Sequence, residues 1–215
     1  MEETEPRKML LIGEKVPDFE AVTTDGPIKF SEWAKDSWTI LFSHPADFTP
    51  VCTTEFMAFA DIYPQLKERN VKLLGLSIDS IYSHIAWLNT IEEKLNKKIP
   101  FPIIEDLSMN VARKYGMIHP AQSNTAAVRA VFFIDPEFKL RALVYYPLSN
   151  GRNMDEIVRI IDAFQTSDKH KVATPANWRP GDAVIVPPPK TKEEAEKRLN
   201  EGYDCADWFF CKKTL

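Results

Sequence analysis

Of the three cysteines in this 215-residue chain, Cys52 stands where a sulfur can do chemistry. It closes the stretch Pro45-Ala46-Asp47-Phe48-Thr49-Pro50-Val51-Cys52, directly after the short apolar run Trp38–Ser43. Thr49 suits a helix N-cap, and Pro50 suits the first helical position, where a missing amide proton costs nothing. Cys52 is then the third helical residue, where unpaired amide N–H groups and the positive end of the helix dipole gather. That field favours thiolate over thiol, so its pKa is expected below the free value of about 8.5. The plain alternative is a small apolar residue in a helical turn.

A thioredoxin-type exchanger needs a second cysteine at position 55, which is Glu55. A protease-like hydrolase needs a histidine base and an oxyanion hole. His44, at the end of the preceding apolar run, is the nearest candidate, and a histidine there more commonly has a structural or substrate-contacting role. Attack on a peroxide needs no base to strip a proton from the substrate: the thiolate takes one oxygen and becomes a sulfenic acid. Cationic or N–H donors must then face the developing charge. Arg129 is the best candidate, because it interrupts the apolar stretch Ala126–Phe133. Its alternative is an arginine paired with a carboxylate at a strand edge. Arg152 is a weaker candidate, with a solvated surface arginine as its alternative.

The elements that must position these residues alternate along the first 165 positions. Trp38–Ser43 reads as a strand buried on both faces. Phe56, Phe59, Ala60, Tyr63 and Leu66 mark one face of a helix over 50–69. Val71–Ile78 is a second strand. Ile81, Ile85, Leu88, Ile91 and Leu95 mark a second helix, with Ser80 as its N-cap. A turn at 100–102 precedes a short helix near 108–115, closed by Gly116. Val128–Ile134 and Leu140–Tyr146 are strands joined by a hairpin-length turn, hence antiparallel. Asn153 and Glu156 have capping-box spacing ahead of a third amphipathic helix. The order predicts an α/β, thioredoxin-like domain over 1–168, with a mixed central sheet flanked by helices.

From about His170 the chain turns proline-rich and extended, with a short charged helix over 190–200. Residues 169–215 therefore form an arm or small domain. Its last residues hold Cys205, Trp208, Phe209, Phe210 and Cys211, too few for a core of their own, so docking on a neighbouring subunit is expected. Lys and Arg number 27 against 31 Asp and Glu, a net charge of −4 that offers no attraction to nucleic acid or anionic membrane. Seven glycines against 16 prolines restrict the unfolded chain, either as in heat-adapted proteins or simply through the proline-rich tail. With an acidic start and no apolar run near the ~20 residues of a membrane span, the chain reads as soluble and cytoplasmic. Three cysteines are too few for a disulfide scaffold.

Pro45-x-x-x-Thr49-x-x-Cys52 matches the PxxxTxxC signature of the peroxiredoxins. The segments 42–55 and 124–135, with the arm after 170, resemble that family's long-tailed, one-Cys-like branch. The resemblance implies a thiol-dependent peroxidase for hydrogen peroxide and organic hydroperoxides, with no metal, haem or flavin. It implies Cys52 as the nucleophile, Thr49 hydrogen-bonding sulfur and peroxide, Pro45 shielding the sulfenate, and Arg129 holding thiolate and substrate. His44 would contact the substrate, and Glu55 and Arg152 would support the site. Dimers assembled into decamers, and an external thiol or thioredoxin-like dithiol reductant, are implied as well. Cys205 and Cys211 depart from the simplest one-Cys pattern and are similar to archaeal-type members. The pairings 52–205, 52–211 and 205–211 are all open, and the resemblance favours 52–211 between subunits. A zinc site from Cys205, Cys211 and His170 matches no recognised spacing. A peroxide sensor that passes oxidation onward and a holdase-like oligomer are the other readings.

Overall fold

The computed structural model describes residues 9–215; the acidic start, Met1–Lys8, lies outside them. The chain divides into two compact units, Met1–Met154 and Asp155–Leu215.

In the first unit, β1 (Glu20–Thr23) and β2 (Gly26–Lys29) form a hairpin, followed by one helical turn, α1 (Phe30–Trp33). Then come β3 (Trp38–Ser43), α2 (Pro50–Glu68), β4 (Val71–Ser77), α3 (Ile81–Leu95), β5 (Ile103–Glu105), α4 (Asn110–Lys114), β6 (Arg129–Ile134) and β7 (Leu140–Tyr146). The seven strands make one sheet in the order β2-β1-β5-β4-β3-β6-β7. Its middle pairs, β3 with β4 and β4 with β5, are parallel, whereas β6 runs antiparallel to both β3 and β7. The mixed sheet expected from the element order is present.

Every residue of β3 and of β6 is buried, which accounts for their predominantly apolar character; Thr39, Ser43 and Arg129 are the polar exceptions. The ring of Phe42 on β3 stacks on Phe59 of α2 at 4.2 Å and meets Phe56 at 5.4 Å, anchoring the helix that carries Cys52 to its strand. The β6–β7 hairpin turns on Asp135, whose Oδ1 accepts from the backbone N–H of Glu137 and of Lys139, both at 2.9 Å. Gly116 takes φ +68° just past α4, the left-handed conformation expected at that helix end.

The apolar face of α3 differs from the sequence expectation. Its buried residues are His84, Trp87 and Ile91, while Ile85 is 45% and Leu95 47% exposed. His84 can face inward because both of its ring nitrogens find partners there, described below, and Ile85 is turned outward while Ile91 stays buried. Ser80 caps α3 as expected, accepting from the N–H of Ser83 at 3.2 Å.

The second unit takes in α5 (Met154–His170, its first residue apart), β8 (Val184–Ile185), α6 (Lys192–Arg198), β9 (Asp204–Asp207) and β10 (Phe210–Lys213). A cluster of Ala163, Val172, Trp178 and Val184 is buried within it. The tail expected to be extended forms a three-stranded sheet in the order β8-β10-β9. No helix among the described residues is long and apolar enough to cross a membrane.

Candidate active site

Thr49 occupies the N-cap position of α2 and Pro50 follows it, so Cys52 lies in the first helical turn. The expected side-chain cap is not made. The Thr49 hydroxyl instead donates to the carbonyl of Ala46 at 2.9 Å, which ties the Pro45–Thr49 loop to the helix start. Pro45 is half-buried in that loop. Cys52 is a free thiol with no exposed surface.

Arg129, the first residue of β6, reaches Cys52 from a different part of the chain. Its Nη1 is 3.3 Å from Cys52 Sγ and 2.6 Å from Glu55 Oε2. Its Nε and Nη2 donate to the Leu148 carbonyl at 3.0 and 2.8 Å. The guanidinium is therefore pinned on two sides, with one N–H left for sulfur. Glu55, one turn after Cys52, also receives Arg152: Nε and the backbone N–H meet Oε1 at 2.7 and 2.8 Å, and Nη2 meets Oε2 at 2.7 Å. The remaining Arg152 nitrogen, Nη1, donates to the carbonyls of Ser43 and Ala130 at 3.0 and 2.8 Å. Arg152 is thus buried with each of its side-chain nitrogens bonded, and the solvated alternative does not apply to it. Burial works to raise the pKa of Glu55, and the hydrogen bonds and charge of Arg152, with the charge of Arg129, override it and hold the carboxyl below its ordinary value.

Behind the loop, Asp47 bridges two histidines. His44 Nε2 lies 2.8 Å from Asp47 Oδ1, and His84 Nδ1 lies 2.8 Å from Asp47 Oδ2. His84 Nε2 is 3.1 Å from the Ile104 carbonyl, which only accepts, so that nitrogen carries a proton. Burial lowers the pKa of His44, against the hydrogen bond and charge of Asp47. Asp47 is held well below the usual carboxylate range: burial opposes this, but hydrogen bonds from both imidazoles prevail. His44 Nδ1 is buried without a hydrogen-bond partner. These three residues offer ligand-type atoms within 4.8 Å of one another, but each Asp47 oxygen is already engaged by an imidazole.

The structure thus brings Cys52, Glu55, Arg129 and Arg152 into one hydrogen-bonded cluster, with Thr49 and Pro45 in the loop at its edge. Asp47 and His84 were not singled out from sequence. Asp47 lies inside the motif already quoted, and a histidine between the apolar positions of an amphipathic helix was the available signal for His84.

Cys205 and Cys211 are joined to each other, across paired strands in which they stand opposite. The structure therefore holds the 205–211 pairing rather than the 52–211 pairing favoured by resemblance. The local reason is register: adjacent antiparallel strands bring the two Cα atoms within 4.0 Å.

Comparison with known proteins agrees with this arrangement. Residues 12–143 match the AhpC/TSA family, and residues 163–202 match the C-terminal domain of 1-Cys peroxiredoxin. A peroxiredoxin of Aquifex aeolicus is 59% identical over 214 residues, covering 95% of this chain and 96% of its own. One from Methanosarcina mazei is 58% identical, covering 95% and 98%. Among solved structures, a yeast mitochondrial 1-Cys peroxiredoxin, studied for thiol resolution through glutathione and thioredoxin systems, superposes with a TM-score of 0.85. It is 42% identical, over 96% of this chain and all of its own. A mutant of peroxiredoxin 6 from Arenicola marina gives the same TM-score at 37% identity, over 96% and 99%. Fold, extension and sequence agree throughout: the chain belongs to the peroxiredoxin family, has its thioredoxin-like fold, and is a thiol-dependent peroxidase.

Proposed function

We propose that Cys52 is the peroxide-attacking nucleophile and that Arg129 stabilises the charge that moves during the attack. The observation that carries this reading is the Arg129 N–H donated to Cys52 Sγ at 3.3 Å, in a site closed to water. The Cys52 thiolate attacks one peroxide oxygen, the O–O bond breaks, and hydroxide or alkoxide leaves and takes up a proton. Cys52 becomes a sulfenic acid. Thr49 orients sulfur and peroxide, Pro45 shields the sulfenate, and His44 contacts substrate from behind the loop. Glu55 and Arg152 keep Arg129 in place.

In this reading the sulfenate is resolved by Cys211 of another subunit, with loss of water. Cys205 then attacks the Cys211 sulfur, frees the Cys52 thiolate and leaves the 205–211 disulfide. A chain with Cys52 free and its tail pair closed corresponds to that last state. An external thiol or thioredoxin-like dithiol completes the cycle. Residues 1–168 act as the peroxidase domain and 169–215 as the arm, a division supported by the end of α5 at His170, after which the chain forms a separate three-stranded sheet. Exposed Trp208, Phe209 and Phe210 support a homo-oligomer of dimers, up to a decamer, and the reducing cycle suits the cytoplasm.

The test is peroxide consumption by the wild type and by Cys52→Ser, with dithiothreitol as reductant. Turnover is expected only in the wild type. Turnover that survives in the variant removes Cys52 from its role.

A further inference from the structure

The two sulfurs of the tail disulfide are not equivalent. Cys211 has no exposed surface, whereas Cys205 is partly exposed on β9, the edge strand of its three-stranded sheet. Thiol–disulfide exchange requires the incoming thiolate to reach the sulfur it attacks. With the hairpin folded, Cys205 is the half of the bond that can be reached. Cys211 sits on the central strand β10, paired on both sides by β8 and β9. Its Sγ lies 3.5 Å from the Asp207 carbonyl, an acceptor ready for an S–H once the disulfide opens.

We propose that Cys205 is the entry sulfur for the external reductant and Cys211 the leaving group. This rests on the reading that the tail cysteines carry oxidation away from Cys52. The reductant's thiolate bonds to Cys205 Sγ as the Cys205–Cys211 bond breaks, and the departing Cys211 sulfur takes a proton. A second reductant thiolate then attacks the reductant's own sulfur in the mixed disulfide. It releases Cys205 and leaves the reductant as a disulfide, so two electrons have passed to the tail pair. Cys205 is therefore more than a spare partner for Cys211: it is the face of the enzyme that the electron donor meets.

The experiment uses the full-length Cys52→Ser chain in its native assembly, with the tail pair closed by diamide. Glutathione is added, samples are quenched at short times, free thiols are blocked with N-ethylmaleimide, and peptides are mapped by mass spectrometry. Glutathione on Cys205 with maleimide on Cys211 is expected at least tenfold over the reverse, the ratio falling towards one in 8 M urea. A native ratio below tenfold, or a ratio that persists in urea, overturns the proposal. Failure of the underlying reading looks different: under limiting reductant the wild type would turn over without accumulating any 205–211 disulfide.

Discussion

Glu55 holds two guanidinium groups on one carboxylate, and all three side chains are almost fully removed from solvent. Removing one member of such a buried group leaves the others charged and unpaired, which costs far more than the pair contributes. Glu55→Ala is therefore expected to lose about 3–5 kcal/mol of stability in urea unfolding. Arg129→Ala should slow peroxide reduction at least tenfold, because the donor to sulfur is gone while the Cys52 loop remains. Similar rates in stopped flow would reduce Arg129 to a packing role. The sign of the acid response follows from Glu55 as well. Its native pKa lies below the ordinary 4.5, so the unfolded chain binds more protons at the same pH. Its contribution is complete above that value and is lost as pH falls towards the native one. Melting temperatures from pH 6 down to 3 should drop steeply in the wild type and less steeply in Glu55→Gln. Parallel curves would assign the acid sensitivity elsewhere.

At the scale of elements, the legible parts of the chain were those with long, one-signed patterns. The apolar runs of β3 and β6 declared their burial, and the Thr49-Pro50 start placed Cys52 in the first turn of α2. The hairpin β1–β2 and the three-residue β5 were not legible, since strands of three or four residues carry too few apolar positions to form a pattern. The face of α3 was misread because hydrophobic periodicity ranks histidine as polar. Asp47 and the Ile104 carbonyl satisfy His84 in the interior, and these partners lie far away in sequence. The caps show the same contrast. Ser80 makes its side-chain bond, so Ser80→Ala should cost about 1 kcal/mol. In Thr49→Ser the hydroxyl remains for the Ala46 carbonyl, and stability in urea should change by less than about 0.5 kcal/mol. A larger loss would mean that the threonine methyl, not the hydroxyl, holds the loop.

At the scale of the whole molecule, the tail was read correctly in its components and incorrectly in its organisation. Cys205, Cys211 and the aromatics between them were visible, but their sheet depends on β8, some twenty residues upstream. The disulfide closes a short loop, and its removal is expected to weaken this sheet by about 2 kcal/mol. In reduced Cys205→Ser, compared with wild type whose tail pair is closed, backbone amides over 204–213 should exchange with deuterium about thirtyfold faster, while those of β6 keep their wild-type rates. Acceleration in β6 would show that the tail bond braces the entire chain.

The absence of surface on Cys52 and on Cys211 has a kinetic corollary. Two shuttered sulfurs cannot bond until each side breathes open, so on the proposed cycle the oxidised intermediate must wait. Whatever peroxide is still present during that wait competes for the same atom and drives it to the irreversible sulfinic rung. Loss of enzyme per turnover should then climb with oxidant dose: a fuse whose rating is set by how often the tail lets go.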